Sequence, residues 1–455
     1  MIRYLTLLFV LFGFFQTNAQ VSMNVQLLGN YDDNTIPDNG SSQFAYNDIW
    51  GYAADGREYA IVGSAAYIHF FDVTNPWKPT LIDQFAGGDT TVWRDIKTFG
   101  KYAYAVSDRT LEGMMIFDLS SLPDSIIKVD QTDIHFSEAH NIFIDEPNGR
   151  LYAAGTDALN NGLIVLDLLN DPEAPELIGN DSLVGGGYVH DVYVRDNIAY
   201  CSHGFEGLYV WDYTDPAEPV LKANVLGNGY NHSSWLTEDG KHILFAEEID
   251  RGLPLGIADL SLVNDGSIEV KNYFQFPLIT DDDVANTPHN PFIRGNYAFV
   301  SYYEDGVQIF DLTDPENPVL AGYYDTFPNN TNYAGYFGNW GVYPFLPSGI
   351  IIASDRKYGL FTLNFLGWDL VSYQENDFYI FPNPSSSGIF NIVKSNAVEI
   401  PSQLEIFDIS GRRLHTQVLN NEYEEVNLSH LSNGFYVGII ESGDRELVKK
   451  LVIAR

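Results

Sequence analysis

The sequence predicts an all-β protein, a seven-bladed β-propeller followed by a small β-sandwich, and three observations support this fold class. First, the apolar run Leu163–Asp167 and its turn recur along the chain, with the runs ending at Asp72, Asp118, Asp167, Asp212, Asp259, Asp311 and Asn364. Second, successive ends lie 46, 49, 45, 47, 52 and 53 residues apart, a period typical of propeller blades. Third, the period stops after residue 368, and residues 378–455 contain short alternating runs with Gly and Asn turns, which favour a separate sandwich.

The third unit shows how one blade is built. Its runs of strand length are His140–Ile144, Leu151–Ala154, Leu163–Asp167 and Glu176–Gly179, and turn residues separate them. Four such runs predict an antiparallel meander, whose strands are named a to d from the centre of the propeller outward. The third run is apolar almost without alternation, as expected when both faces of a sheet pack against neighbouring sheets.

The two ends of the chain lie outside the repeat. Residues 1–20 combine Arg3, an apolar stretch and small residues before Gln20, which predicts a secretory signal peptide. Residues 21–368 form the predicted propeller, residues 369–377 a linker and residues 378–455 the tail domain. Because Asn24–Asp32 reads like a strand d and the seventh unit has no strand d of its own, we expect the N-terminal segment to complete the last blade.

Composition narrows the class of partners. The 455 residues carry a formal charge of −37 and a single cysteine, Cys201. So acidic a surface repels nucleic acid and anionic lipid, and a lone cysteine allows no intramolecular disulfide. No run after the signal peptide is long and apolar enough for a transmembrane segment. The sequence therefore predicts a secreted or outer-surface protein that does not bind nucleic acid.

Acidic residues at turns have a structural explanation. The acid that ends strand c is followed by a turn with Ser, Thr, Asp or Pro, and a carboxylate there accepts the backbone N–H groups of the turn. A second acidic run, Asp281–Asp283, lies in a predicted long loop, where solvated side chains and a surface calcium ion are the alternatives.

Polar pairs recur at the start of every strand a. They are Asn47-Asp48, Arg94-Asp95, His140-Asn141, His190-Asp191, His232-Ser233, His289-Asn290 and Asn339-Trp340. Strand a lines the centre of a propeller and begins on the same face as the b–c loops, so these residues should converge at the mouth of the central channel. The candidate ligand-binding residues are Asp48, Arg94, Asp95, Asn141, Asp191, His203, Glu247, Glu248 and Asn290.

Four successive blades each bring a histidine to this face. His140, His190, His232 and His289 are the candidate metal ligands, and the candidate cofactor is a divalent metal, zinc or calcium. In the alternative interpretation, each histidine hydrogen-bonds within its own blade and ties the incoming loop to the b–c turn. Because successive strand residues point in opposite directions, only one member of each pair can face the mouth.

The tail contains several short motifs, at Pro382–Gly388, Asp408–Gly411, Leu428–Tyr436 and Lys449–Leu451. With these motifs, residues 378–455 resemble the type A C-terminal sorting domain of type IX secretion cargo. The resemblance implies that the type IX machinery is a partner. It also implies export through the outer membrane, followed by tail removal and attachment to surface lipopolysaccharide, or by release.

The propeller region also has recognisable motifs, at Trp50–Tyr52, Glu58–Gly63, Trp93–Lys97, Ala139–Asn141 and His190–Val192. Residues 21–368 resemble the LVIVD-repeat β-propeller proteins, in particular the secreted choice-of-anchor B family. This resemblance implies architecture and surface attachment, and it brings no reaction with it.

The pattern favours a binding module over an enzyme. The polar positions recur with the repeat, and the sequence has no Gly-Xaa-Ser-Xaa-Gly elbow, His-Glu-Xaa-Xaa-His motif or phosphate loop. We therefore expect the mouth to hold a small ligand, a surface glycan or another protein. The alternative function is a metal-assisted hydrolase or polysaccharide lyase in blades three to five, built from His140, His190, His203, His232 and Glu247 or Glu248.

Overall fold

The computed structural model describes residues 22–38, 44–158, 162–181, 188–279, 285–328, 332–333, 335–368, 378–394, 398, 400–443 and 445–455. The predicted signal peptide, the linker 369–377 and the acidic run Asp281–Asp283 lie outside these residues. Besides strands, the described residues form three short 3-10 helices, Glu146–Asn148, Val263–Asp265 and Leu366–Trp368. In this part of the chain, no helix has the length and apolar character needed to cross a membrane.

Strands dominate the chain from its first described residue. It begins with β1 (Ser22–Met23) and β2 (Val25–Tyr31). The first sheet contains β3 (Tyr46–Ala54), β4 (Arg57–Ser64), β5 (Tyr67–Asp72) and β6 (Thr80–Ala86). The second contains β7 (Arg94–Phe99), β8 (Tyr102–Ser107), β9 (Met114–Asp118) and β10 (Ile127–Thr132). The third contains β11 (Asn141–Asp145), β12 (Arg150–Ala154), β13 (Leu163–Asp167) and β14 (Glu176–Asp181).

Four more sheets of the same kind follow. The fourth contains β15 (Asp191–Arg195), β16 (Ile198–Ser202), β17 (Leu208–Asp212) and β18 (Val220–Val225). The fifth contains β19 (Asn231–Leu236), β20 (His242–Glu247), β21 (Leu255–Asp259) and β22 (Glu269–Phe274). The sixth contains β23 (Pro291–Arg294), β24 (Tyr297–Ser301), β25 (Val307–Asp311) and β26 (Val319–Tyr324). The seventh contains β27 (Asn339–Tyr343), β28 (Ile350–Asp355) and β29 (Gly359–Phe365).

The seven sheets form a ring around their first strands. Strand β3 contacts β7, and contacts continue through β11, β15 and β19 to β23. The sixth sheet reaches β27 through β24, and β27 returns to β3. Each sheet is an antiparallel meander in the order a to d, as the repeat predicts. The predicted seven-bladed β-propeller is therefore confirmed.

The N-terminal segment takes part in two blades. Strand β2 pairs with β29, from Val25 opposite Phe365 to Tyr31 opposite Leu360, and is the fourth strand of the seventh sheet. Strand β1 pairs instead with β26 of the sixth sheet, a contact that the sequence pattern did not indicate. Between them, Asn24 has a φ of 53° and its amide donates to the carbonyl of Ala321 at 2.8 Å. This left-handed residue redirects the chain from one blade to the next.

The core consists of apolar side chains packed between neighbouring blades. Between the second and third sheets, Tyr104 and Ile116 belong to one buried cluster with Ile142, Leu151 and Leu166. Strand c is buried at both alternating positions, as in Leu163–Leu166. Burial on both faces explains why its sequence is continuously apolar.

The acid at the end of strand c has the predicted structural role. In six blades its Oδ1 atom accepts the backbone N–H two residues further on, at distances from 2.7 Å in Asp259 to 3.3 Å in Asp167. The seventh blade has Asn364 at this place, and the chain continues into the 3-10 helix Leu366–Trp368. The repeated acid thus stabilises the turn that follows strand c.

The tail forms two further antiparallel sheets that pack on each other. One contains β30 (Phe378–Phe381), β31 (Ile389–Lys394) and β34 (Tyr423–Asn427). The other contains β32 (Ser402–Asp408), β33 (Arg413–Leu419), β35 (Gly434–Ser442) and β36 (Arg445–Ile453). Phe390 and Val426 of the first sheet share a buried cluster with Leu404, Ile440 and Leu451 of the second. The predicted small sandwich is present.

Two neighbouring leucines of β2 provide a test of the last blade. Leu28 is 8% exposed and packs with the cluster that joins the first and seventh blades, whereas Leu27 is 40% exposed. We expect Leu28→Ala to lower the free energy of unfolding by about 2–5 kcal/mol, because it leaves a cavity. The matched control Leu27→Ala should change it by about 0.5 kcal/mol or less. Equal effects of the two variants in chemical denaturation would contradict the position of β2.

Candidate functional site

The two members of each polar pair have different surroundings, because alternate residues of strand a face the channel. The second members line the channel and form a layer, here named the channel ring, of Asp48, Asp95, Asn141, Asp191, Ser233 and Asn290. Two residues further along each strand, Lys97, Phe143, Tyr193, Trp235 and Phe292 line the same channel. The polar layer therefore lies directly above a mainly aromatic one.

Hydrogen bonds of the channel ring join successive blades. Asp48 Oδ2 accepts the backbone N–H of Ile96 at 3.2 Å, and Asp95 Oδ2 accepts that of Ile142 at 2.6 Å. Asn141 Nδ2 donates to Asp191 Oδ2 at 3.1 Å. Each bond crosses from one blade to a neighbour, so the channel ring holds the first four blades together.

One lysine forms ion pairs with two carboxyl groups of the channel ring. Lys97 Nζ lies 2.6 Å from Asp95 Oδ1 and 3.9 Å from Asp48 Oδ2, and it stands over the ring of Trp50 at 4.6 Å. Burial raises the pKa of Asp48 well above its usual value, with a further contribution from Asp95. Burial likewise raises the pKa of Asp191 to about 7. Burial opposes the charge of Lys97, but Asp95 and Asp48 outweigh it and raise its pKa.

The aromatic layer packs the channel below the channel ring. The ring of Trp235 lies 4.4 Å from Tyr193, 4.9 Å from Phe292, 5.5 Å from Phe345 and 5.9 Å from Phe143. These residues come from blades three to seven, so the rings meet across the centre. The aromatic layer therefore fills the centre of the channel on the side away from the histidines.

The first members of four successive pairs are histidines, and their rings form a continuous row of contacts at the mouth. Ring centroids are 4.1 Å apart between His140 and His190, 4.4 Å between His190 and His232, and 4.3 Å between His232 and His289. The row ends at Trp340, whose ring centroid is 4.5 Å from that of His289. We name these five residues the histidine arc.

The arc is held by hydrogen bonds that differ from those expected. His232 Nδ1 lies 3.1 Å from the carbonyl of His289, and His289 Nδ1 lies 2.6 Å from the carbonyl of Trp340. His140 Nδ1 lies 2.8 Å from Asp108 Oδ2 of the preceding blade. The interpretation in which each histidine bonds within its own blade is therefore wrong for these three residues. The bonds join blades, because His232 and His289 reach the backbone at the start of the next blade and His140 reaches the b–c loop of the preceding one.

Burial keeps much of the arc neutral. It lowers the pKa of His232, and it lowers the pKa values of His190 and His289 well below their usual range, with neighbouring imidazoles adding to the effect. In a neutral imidazole that donates through Nδ1, the Nε2 atom carries a lone pair. His232 and His289 thus present acceptor nitrogens.

A carboxylate stands beside the middle of the arc. Glu248 Oε2 is 3.7 Å from His232 Nε2, and Glu248 Oε1 accepts the hydroxyl of Tyr303 at 2.6 Å. One ligand atom from each of His190, His232 and Glu248 lies within 4.8 Å of the other two. Of the candidate ligand-binding residues, Glu248 is the one that the structure brings to the arc.

The other candidates lie elsewhere. Five of them belong to the channel ring: Asp48, Asp95, Asn141, Asp191 and Asn290. Arg94 is 2% exposed, forms an ion pair with Glu112 of its own blade, with nitrogen–oxygen distances of 2.5 and 2.9 Å, and donates through Nε to the carbonyl of Ser64 in the first blade at 2.8 Å. Buried Glu247 accepts the N–H of Asn228 through both oxygens, and buried His203 stacks on Tyr209 at 4.6 Å.

The pair assigned to the seventh blade is shifted by one residue. Trp340 accepts the bond from His289 and stacks on it, so it occupies the first position, and Gly341 occupies the second. The fifth blade has the same bulge, between Asn231 and Ser233, so its pair His232-Ser233 corresponds to Trp340-Gly341. A Cβ atom at Gly341 would lie 3.4 Å from Asp48 Oδ1 and only 2.9 Å from Ile49, so the channel ring has room only for glycine there.

Sequence reasoning missed an aromatic rim around the arc. Its members are Trp93, Tyr188, Phe205, Tyr230 and Tyr336. Tyr188 is 38% exposed and Phe205 64% exposed, and Tyr230 packs 5.2 Å from His190. Arg109 stands over the ring of Trp93 at 4.4 Å. The sequence holds one signal for the rim, since Tyr188 and Tyr230 each precede an arc histidine by two residues.

Fold and mouth together define a β-propeller with a polar channel and a row of largely buried imidazoles at one face, and the comparisons agree with this class. The LVIVD repeat matches at residues 186–227 and 292–326, which lie in the fourth and sixth blades. The secretion system C-terminal sorting domain matches residues 379–454. This type IX sorting tail directs the protein to the cell surface or the medium.

Two broader comparisons complete these findings. No curated protein matches the chain in sequence. Among solved structures, the chain is similar to a functionally unknown protein from Desulfotomaculum acetoxidans DSM 771, with 13% identity and a TM-score of 0.48. The match covers 63% of this chain and 87% of that one.

The channel ring predicts a specific pH dependence. Folded Asp191 keeps its proton up to a pKa of about 7, whereas in the unfolded chain it ionises near 3.8. Its contribution to stability is therefore complete at low pH and is lost as the pH rises through 7. We expect Asp191→Asn to gain stability relative to the parent when the pH rises from about 5 to about 8. Denaturant unfolding of both proteins at the two pH values measures this difference.

A control comes from Asp239, whose pKa is lowered by the N–H of Lys241. Its contribution is lost only as the pH falls through that lowered value, which lies below this window, so the difference between Asp239→Asn and the parent should not change between the two pH values. An Asp191→Asn difference that is equally flat would show that Asp191 is ionised in the folded protein.

Proposed function

We propose that the protein is an exported, surface-associated propeller that binds carbohydrate across the mouth of its channel. Removal of residues 1–20 as a signal peptide, membership of the choice-of-anchor B family and a role as a binding module belong to this proposal. One observation carries it: a partly exposed aromatic rim surrounds the largely buried histidine arc, and Glu248 stands between the two.

The chemistry of the array suits sugars. The exposed rings of Tyr188 and Phe205 offer apolar faces on which the C–H faces of a pyranose can pack. Glu248, whose side chain is 15% exposed, lies beside the arc and can accept hydrogen bonds from hydroxyl groups. A site that combines apolar surface with a few fixed polar groups is typical of small-ligand and glycan recognition.

Charge favours neutral sugars over acidic ones. The chain has a net charge of −37, and a surface of that sign repels polyanions at moderate ionic strength. Neutral glucans and xylans therefore fit the face better than alginate or polygalacturonate.

The test uses the full mature chain and calorimetric titration with those four polysaccharides. We expect binding of at least one neutral polysaccharide and about tenfold weaker binding by Tyr188→Ala, since one stacking contact is worth on the order of 1 kcal/mol. Phe205→Ala should have a similar effect. Leu169→Ala, at a residue that is also 64% exposed but follows strand c in a turn, should bind like the parent.

The same samples separate binding from catalysis. New reducing ends or unsaturated sugars, appearing with time, would support the alternative of a metal-assisted hydrolase or lyase. If none of the four polysaccharides binds, or if Tyr188→Ala and Leu169→Ala bind equally, the rim is not a carbohydrate site and the proposal fails.

A further inference from the structure

We propose that His190, His232 and Glu248 form a binding site for one zinc ion at the mouth of the channel. These three side chains come from two adjacent blades and each offers a ligand atom within 4.8 Å of the others. The inference goes beyond carbohydrate binding, because the ligand set can hold the ion whether or not a sugar is present.

The hydrogen bonds of His232 leave the correct nitrogen for a metal. Its Nδ1 atom lies 3.1 Å from the carbonyl of His289, so this atom is the donor and Nε2 holds the lone pair. Histidine ligands of metals usually donate their second ring nitrogen to a carbonyl or a carboxylate, which fixes the orientation of the ring. The tautomer required for ligation is therefore built into the contact between the fifth and sixth blades.

Glu248 is oriented in the same manner. Tyr303 donates its hydroxyl to Oε1 at 2.6 Å, which leaves Oε2 facing the histidines. Oε2 and the Nε2 atom of His232 are 3.7 Å apart, and both are acceptors when His232 is neutral. Two acceptors that face each other at this distance gain most from a cation placed between them.

The spacing suits a small ion. Zinc binds nitrogen and carboxylate oxygen at about 2.0–2.2 Å with tetrahedral geometry, so its ligand atoms lie roughly 3.3–3.6 Å apart. The 3.7 Å pair is close to that separation, and the third atom, from His190, lies within 4.8 Å of the other two and has to move closer to complete the set. Two nitrogens and one carboxylate favour zinc over calcium, which prefers oxygen ligands in larger number.

Three protein ligands leave one coordination position open, and the open side faces the aromatic rim. Tyr230 packs 5.2 Å from His190 and is partly exposed. A hydroxyl or carboxylate of a ligand lying on the rim can therefore complete the coordination of the ion.

The experiment measures metal alone. The full mature chain is freed of metal with a chelator and titrated with zinc, then with cobalt, whose visible spectrum reports four-coordinate geometry. We expect one zinc ion per chain and no competition by calcium. His232→Ala and Glu248→Gln should each lose this binding. Tyr303→Phe, which removes only the hydroxyl that orients Glu248, should weaken it about 10–100-fold.

The matched control is His135→Ala, at a partly buried histidine that bonds the carbonyl of Pro175 away from the arc. It should bind zinc like the parent, and thermal melts establish that every variant is folded. Absence of zinc binding by the parent, or binding that survives both His232→Ala and Glu248→Gln, overturns the site. Because no sugar is present, this outcome is independent of the carbohydrate test.

Discussion

The structure depends on keeping charged side chains in the centre of the ring, where water is largely excluded. Asp48 and Asp95 are each nearly buried, and each accepts a backbone N–H from the next blade. Lys97 supplies the positive charge that makes this arrangement tolerable. A buried carboxylate without such partners would cost several kcal/mol, or it would take up a proton. The hydrogen bonds of the channel ring therefore help to fix how the first four blades sit relative to one another.

The channel ring also determines the mouth. Since side chains alternate along a strand, placing Asn141, Asp191 and Asn290 in the channel leaves the preceding residues at the end of the strand, where they extend over the next blade. This is why the four histidine rings lie about 4.1–4.4 Å apart, and why His140, His232 and His289 bond across blade boundaries. The interior of the channel and its open face are thus two consequences of one register, and a shift of a single residue would exchange them.

Much of the fold could be predicted from the sequence, because the repeat reflects the local structure of each blade. The period, the four strands of a blade and the turn role of the strand c acid all follow from residues within about fifty positions. The errors come from side-chain partners that the repeat does not show. Arg94 reads as a mouth residue until Glu112 is seen to bind it, and the arc bonds of His232 and His289 reach residues more than fifty positions away. In the seventh blade, the equivalents of His232-Ser233 are Trp340-Gly341, one residue beyond the pair that the spacing indicates.

Departures from the repeat distinguish structural positions from functional ones. A purely structural arc would be equivalent in every blade, but the first two blades have Asn47 and Arg94 in place of histidine, and the seventh has Trp340. The blades that keep histidine are the ones that adjoin Glu248, Tyr303 and the exposed rim. Imidazoles buried next to a carboxylate lose the hydration of their polar nitrogens, a cost that apolar side chains at the same positions would avoid. Such a cost, confined to one side of an otherwise regular ring, is most simply explained by what that side binds.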